Sequence, residues 1–191
     1  ESHTHDLKNQ LLDEKVDILV AHDFDPELFV SYPLSDETLL LSVPVNNPIN
    51  RHFADKALPD SYFATGRYLE KDCPTVDLLE FADEDFLVLK KGNDMFTRTM
   101  QLCDNAGFAP KVKIYSDQLM TAYNMSRAGL GLTIVTDNLM RAVHGTSKCC
   151  IYKISGENTK RKLSIGYKKK RYPSRAMEAF VQCAMEVYKI K

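Results

Sequence analysis

Polar side chains that could bind a small ligand follow several of the predicted strands. They are His22; Lys91, Gly92 and Asn93; Ser116 and Asp117; and Thr136. Loops after strands and the N-termini of helices are common ligand sites in α/β proteins, and backbone N–H groups at a helix start favour anions. The residue types therefore predict a site for a small polar or anionic molecule, with Lys91 as a cation and Thr136 as a hydroxyl donor.

Each of these positions also has a structural explanation. His22 is equally well explained as a polar loop residue without a role. Asn93 or Asp94 fits a helix cap beside a tight turn, and Ser116 or Asp117 fits a cap of the next helix. The residues alone leave both explanations open at each position.

Patterns typical of catalytic, metal or redox sites find little support. The sequence contains no GxSxG, HExxH or P-loop pattern, and Gly129-x-Gly131 precedes a strand, so it is not a dinucleotide fingerprint. His3 and His5 provide only two metal ligands. Cys149 and Cys150 are neighbours in a strand, and such side chains point to opposite faces. We expect no enzymatic activity, no cofactor and no metal.

Composition indicates a soluble cytoplasmic protein. The 191 residues are 44% hydrophobic and 27% charged, with a net charge of -1, so nothing in the overall charge favours nucleic acid or anionic membrane. No signal peptide opens the sequence, and no apolar run approaches the roughly 18 residues of a membrane helix. The five cysteines fit a reducing compartment. The basic runs 160–162 and 168–171 fit solvated strand ends better than a nucleic-acid stripe.

The stretch from Tyr115 to Thr136 organises the predicted fold. It reads as a helix capped by Ser116 or Asp117, a turn at Gly129–Gly131 and a buried strand at 132–135.

Further helices are predicted at 5–14, about 94–106 and 174–188. Further strands are predicted at 16–21, 39–44, 85–89, 111–115, 149–154 and 162–167, the last pairing back on the one before it. Residues 46–75 predict a surface insertion, and the spacing of elements favours a mixed, mostly parallel sheet.

The order of these blocks resembles the effector-binding domain of LysR-type transcriptional regulators. The matching stretches are Leu7–Val20, Glu37–Ile49, Leu78–Leu89, Ala106–Pro110, Val112–Val135 and Ser174–Val187. The resemblance covers nearly the whole chain, with Asn47 in place of the family's usual histidine. The family's winged helix-turn-helix domain and the first strand and helix of its first lobe have no counterpart in this sequence, so we expect part of the ligand site to lie upstream or to be supplied in another way.

The resemblance implies a two-lobed, periplasmic-binding-protein-like (type 2) α/β fold with a ligand cleft between the lobes. Lobe one would comprise residues 1–40 and 164–191, and lobe two residues 41–163. The family positions implied for ligand binding include Ser2 as well as the residues given above. The resemblance also implies a homodimer formed through helices 5–14 and 119–128, and DNA binding through the N-terminal domain alone.

We therefore predict a ligand-sensing module of a bacterial transcription regulator. The alternative is a solute-binding protein of a transport system with the same fold, which the absence of a signal peptide and the odd number of cysteines disfavour. An enzyme on this fold would need an acid, base or nucleophile set that the sequence does not suggest. The sequence does not identify the effector.

Overall fold

The computed structural model describes residues 4–143 and 148–189, which fold as two compact units. Unit one contains the described residues up to Glu37 and from Arg161 onward, and unit two contains those of Thr38–Lys160. The helices are α1 (Thr4–Leu12), α2 (Asp60–Thr65), α3 (Asp94–Asn105), α4 (Leu119–Arg127), α5 (Asp137–Ala142) and α6 (Arg175–Lys189). The strands are β1 (Leu19–His22), β2 (Phe29–Pro44), β3 (Thr75–Val76), β4 (Asp85–Leu89), β5 (Lys111–Ser116), β6 (Thr133–Thr136), β7 (Cys149–Ile154) and β8 (Lys160–Lys168).

Unit one is built on β1, β8 and the first part of β2. β1 pairs antiparallel with β8, and β8 lies between β1 and β2 in the sheet. The predicted helix at the C-terminal end is confirmed as α6, which buries Met177 and Val181. His22 is the last residue of β1, opposite Leu163, and not a loop residue as predicted. No helix in the described part of the chain is long and apolar enough to span a membrane.

Unit two is a mixed α/β unit. β2 pairs antiparallel with β6 and β7, β3 pairs parallel with β7, and β4 pairs parallel with β5. The predicted mixed sheet is confirmed, but the predicted excess of parallel pairing is wrong among the described strands. The hairpin of β7 with β8 is also wrong, since β2 lies between them. The long strand β2 explains both errors, because it offers antiparallel edges that the sequence pattern did not reveal.

The stretch predicted as a surface insertion contributes to the core of unit two. It forms the short 3-10 helices Pro48–His52, Ala54–Lys56 and Arg67–Leu69 as well as α2. Leu58, Phe63, Tyr68 and Cys73 are buried there, and they pack in one cluster with Tyr123 of α4. Large aromatic side chains remove much apolar area from water, so this irregular stretch is held by packing without long regular elements.

The stretch from Tyr115 to Thr136 forms the predicted strand end, helix, turn and buried strand. The predicted cap is wrong: α4 begins at Leu119 after Gln118, and no side chain caps it. Gly129 ends the helix at φ +87°, in the left-handed region that favours glycine. Beyond the turn, Leu132 N–H donates to the Asp85 carbonyl (2.8 Å), and the Leu132 carbonyl accepts from Leu87 N–H (2.7 Å), which joins this stretch to β4.

Gly131 is required where the turn passes β4. A Cβ at this position would lie 2.6 Å from the Asp85 carbonyl oxygen, closer than such contacts allow. We therefore expect Gly131→Ala to lower the free energy of unfolding by about 1–3 kcal/mol in urea denaturation, as in other overpacked sites. The control is Leu79→Ala, whose side chain is exposed, with an expected change within about 0.5 kcal/mol. Equal stability of the two variants would contradict the close approach.

Candidate ligand-binding site

Two predicted ligand loops lie side by side in unit two. Leu89 at the end of β4 is opposite Ser116 at the end of β5, and Lys90 N–H donates to the Ser116 carbonyl at 2.9 Å. The exposed Lys90 ammonium contacts the exposed Asp117 carboxylate at 2.9 Å. The carboxyl ends of these parallel strands therefore bring the segments 90–93 and 116–117 together, at the kind of sheet edge where α/β proteins bind ligands.

The loop after β4 is a tight turn that ends in a helix cap. Gly92 adopts φ +98°, Asn93 N–H donates to the Lys90 carbonyl (3.1 Å), and the Asn93 side chain accepts from Met95 N–H (2.9 Å). The structural explanation of Asn93 is therefore correct, and its amide oxygen is already engaged at the start of α3. Lys91, the predicted cation of this loop, is exposed. It precedes the N-terminus of α3, and the N-terminal end of a helix favours negative charge.

An ion pair at the same helix start moderates its attraction for anions. Asp94, in the first turn of α3, pairs with Arg98 at 3.1 Å, and both side chains are largely buried. A carboxylate in the first turn already interacts favourably with the helix dipole. The prediction of an anion site therefore depends mainly on Lys91 and the turn that carries it.

The two hydroxyls of the predicted site bond within the protein. Ser116 is buried, and its hydroxyl donates to the Gln118 carbonyl at 3.1 Å. Thr136 is also buried, and it caps α5 by accepting from Leu139 N–H at 3.2 Å. The single parallel bridge between Phe86 and Leu132 places the carboxyl end of β6 at the same edge as that of β4. Thr136 therefore lies at the end of β6 on this edge. Its side chain is buried, and its hydroxyl oxygen caps α5.

Asp137, next to Thr136, is a buried carboxylate that was not among the predicted ligand residues. It accepts hydrogen bonds from Thr38 N–H (3.1 Å) and from the Tyr68 hydroxyl (2.6 Å), and Arg141 lies 3.6 Å away. Burial and the hydrogen bond to Asp137 raise the pKa of Tyr68 well above its usual value. The only local indication of this site was an acidic residue directly after a possible capping threonine. Its partners Thr38 and Tyr68 are distant in the sequence, so local patterns could not predict them.

The predicted ligand residue of unit one, His22, sits in a buried charged cluster. His22 Nε2 lies 3.0 Å from Glu37 Oε2, and Arg161 Nε lies 2.6 Å from the same oxygen. The side chains of His22, Glu37 and Arg161 are only 14%, 8% and 9% exposed. The interpretation of residues 160–162 as solvated is therefore wrong for Arg161, although Lys160 and Lys162 are exposed.

Ser2 and His3 lie outside the described residues, so the structure does not place them. Within residues 4–143 and 148–189, no group of three or more His, Cys, Asp or Glu side chains is arranged to hold a metal ion. Cys73, Cys103 and Cys149 are free and buried. Burial raises the pKa of each of these thiols, that of Cys103 to about 12.

A separate apolar depression lies between α2 and α5. It has a cavity volume of about 510 Å³ and is lined by Phe63, Met140 and Val143, with Asp60 and Arg141 among its polar lining residues. Arg141 is already bonded to Asn138 and lies beside Asp137. This depression contains none of the predicted ligand residues, so it is a competing location for a small apolar molecule.

The fold and the loops at its strand ends define a ligand-binding α/β domain, and comparison with known proteins gives the family. The chain belongs to the LysR substrate binding domain family, whose sequence model matches residues 1–189. This match confirms the predicted family and the two-lobed class of fold, and it favours a regulator over a transport solute-binding protein.

Relatives and solved structures agree with this assignment. The "Hydrogen peroxide-inducible genes activator" of Escherichia coli O6:H1 is 27% identical over 136 residues, which are 71% of this chain and 38% of that protein. The regulatory domain of Synechocystis CcmR in complex with 2-PG has a TM-score of 0.78 at 13% identity, covering 98% of this chain and 81% of that one. The effector-binding domain of QuiR in complex with shikimate has a TM-score of 0.76 at 17% identity, covering 99% and 79%. The structural neighbours establish the fold, and the chain spans well under half of the curated relative.

The cap at Asn93 gives a direct test of the loop geometry. Asn93→Ala removes the acceptor for Met95 N–H, so we expect a loss of about 0.5–2 kcal/mol in the free energy of unfolding. Asn93→Asp keeps an acceptor and should retain most of the stability. Both are measured by urea denaturation, and an alanine variant as stable as the wild type would rule out the capping role.

Proposed function

We propose that this chain senses a small polar or anionic metabolite for a LysR-type transcription regulator. The observation that carries the proposal is the junction of segments 90–93 and 116–117, where an exposed lysine stands at a helix start. A ligand that binds one conformation better than another shifts the equilibrium by that difference in affinity. DNA binding by the regulator would respond to the shift.

The site in unit two would comprise Lys91, Gly92 and Asn93 together with Ser116 and Asp117, and Thr136 would contribute from the end of β6. Lys91 would contact an anionic group, since ammonium groups are common partners of carboxylate and phosphate. Ser116 and Thr136 are buried and already bonded, so they would bind ligand only by sharing or exchanging a hydrogen bond. His22, which lies in unit one, remains a predicted ligand residue in its own right, and Ser2 remains a prediction from resemblance.

We propose that sensing occurs by reversible binding, with no catalysis and no thiol chemistry. The named function of one relative raises peroxide sensing as a second candidate. Reactive cysteines are thiolates with lowered pKa, whereas burial raises the pKa of Cys73, Cys103 and Cys149. These three thiols therefore lack the features of an oxidation sensor, which favours a metabolite as the signal.

We further propose that the regulator acts as a homodimer in the cytoplasm, where it meets DNA. Large apolar side chains on the surface of unit two support a partner surface: Tyr115, Met120 and Leu130 are 53%, 41% and 40% exposed. Met120 lies on α4, which the resemblance implies as a dimer helix. Apolar side chains that remain in water in one chain are available to pack against a second copy.

A thermal-shift screen tests ligand sensing. The panel contains benzoate, shikimate and 2-PG, which are bound by structural neighbours, together with other small carboxylates, hydroxy acids and phosphate esters. A true ligand at a hundredfold excess over its Kd should stabilise the folded chain by about 2.7 kcal/mol. Lys91→Ala should weaken an anionic ligand by about tenfold, since hydrogen bonds to charged groups are worth more than 1.4 kcal/mol.

The matched control is Lys71→Ala, which removes an exposed lysine of the same unit outside the candidate loops. It should leave the affinity unchanged. A ligand that binds wild type, Lys91→Ala and Lys71→Ala equally would contradict the site, and a panel without any stabilising compound would count against the proposed ligand class.

A further inference from the structure

The buried cluster around His22 is assembled from neighbouring strands of unit one. His22 ends β1, Arg161 lies near the start of β8, and Glu37 lies on β2, in the sheet order β1, β8, β2. Arg161 Nε and His22 Nε2 both lie within hydrogen-bond distance of the single oxygen Glu37 Oε2, at 2.6 and 3.0 Å. The Glu37 carboxylate on β2 is therefore linked to His22 on β1, and β8, which lies between these two strands, supplies Arg161.

The chemistry of this cluster fixes where the His22 ring carries its proton. A guanidinium is always charged in proteins and can only donate, so it holds the facing Glu37 carboxyl in its ionised form. An ionised carboxylate can only accept. His22 Nε2, at 3.0 Å from that carboxylate oxygen, must therefore be the donor. In the neutral imidazole the other nitrogen, Nδ1, then carries a lone pair and accepts hydrogen bonds.

The backbone around His22 is also held in place. His22 lies opposite Leu163 in the antiparallel ladder of β1 and β8. The next residue, Asp23, adopts φ +53°, and its carbonyl accepts from the Lys8 ammonium at 2.8 Å. Aspartate tolerates this left-handed conformation better than most residues. The strand therefore ends abruptly after His22, and the ring is restrained by both its backbone and its side-chain partner.

We propose that Glu37 and Arg161 are positioning residues, which fix His22 as the Nε2–H tautomer and present Nδ1 as a hydrogen-bond acceptor for the effector. This rests on the proposed function in one respect, that His22 contacts the effector. The group at His22 would then be an O–H or N–H donor, not a bare carboxylate. An effector bound at His22 would therefore carry at least one hydroxyl, amide or ammonium group.

A purely structural role for the ion pair makes a different prediction. A pair that only joined β8 to β2 would affect stability without determining which ring nitrogen carries the proton. The ring tautomer therefore separates the two roles, and it can be read from long-range ¹H–¹⁵N correlations of the histidine side chains without any ligand.

The experiment uses the ¹⁵N-labelled chain at pH 8, with His22→Gln to assign the ring signals. Wild type should show His22 as a single Nε2–H tautomer. The double variant Glu37→Leu/Arg161→Leu removes both charges together, which buried pairs often tolerate, and leaves the ring without its acceptor. The ratio of Nε2–H to Nδ1–H should then fall by about tenfold or more, because a charge-assisted hydrogen bond is lost.

Two further variants keep the test decisive. Glu37→Gln should also lower the tautomer ratio, since its amide can donate to the ring, and it applies if the double variant does not fold. Glu14→Gln/Lys168→Gln removes a different ion pair of unit one (2.7 Å), more exposed than the first, and should leave the His22 signals unchanged.

The proposal is overturned if wild-type His22 is the Nδ1–H tautomer, an imidazolium or an equal mixture. It is also overturned if the ratio is unaffected in the folded charge-removing variants. An intact tautomer result with no ligand in the thermal-shift screen would instead count against metabolite sensing, so the two failures are distinguishable.

Discussion

The structure depends on two strands that belong to both units. β2 leaves unit one at Glu37 and enters unit two at Thr38, and β8 does the reverse at Lys160 and Arg161. Buried carboxylates hold β2 on either side of this point. Glu37 is bonded to Arg161 in unit one, and Thr38 N–H is bonded to Asp137 in unit two. Because a buried charge without a partner is costly, the loss of either partner at these contacts would destabilise the unit that contains it.

The candidate site follows from the way unit two is built on β2. β6 pairs with β2, and the turn before β6 meets β4 through the close approach at Gly131. β5 then pairs parallel with β4. The carboxyl ends of β4, β5 and β6 consequently share one edge, where Lys91, Ser116 and Thr136 lie. Most of the polar atoms there serve as caps or turns, so ligand recognition would depend on the few that remain exposed, with Lys91 foremost among them.

Local sequence patterns predicted the elements well and the long-range partners poorly. The strand at 85–89, the cap at Asn93 and the C-terminal helix follow from short apolar runs, capping residues and helical spacing, which act within a few residues. The predicted cap at Ser116 failed because its hydroxyl bonds to Gln118 before the helix begins. The burial of Arg161 could not be predicted, since its partner is 124 residues away in the sequence. The contribution of residues 46–75 to the core could not be predicted for a different reason: irregular backbone gives no periodic pattern of apolar residues.

The most direct test of the central claim is to map a ligand from the screen by backbone amide chemical shifts. If the chain senses its effector through the loops at the strand ends of unit two, the largest changes should occur at Lys91–Asn93 and at Ser116–Asp117. Changes that instead concentrate on Phe63, Met140 and Val143 would place the ligand in the apolar depression between α2 and α5, and would contradict the account.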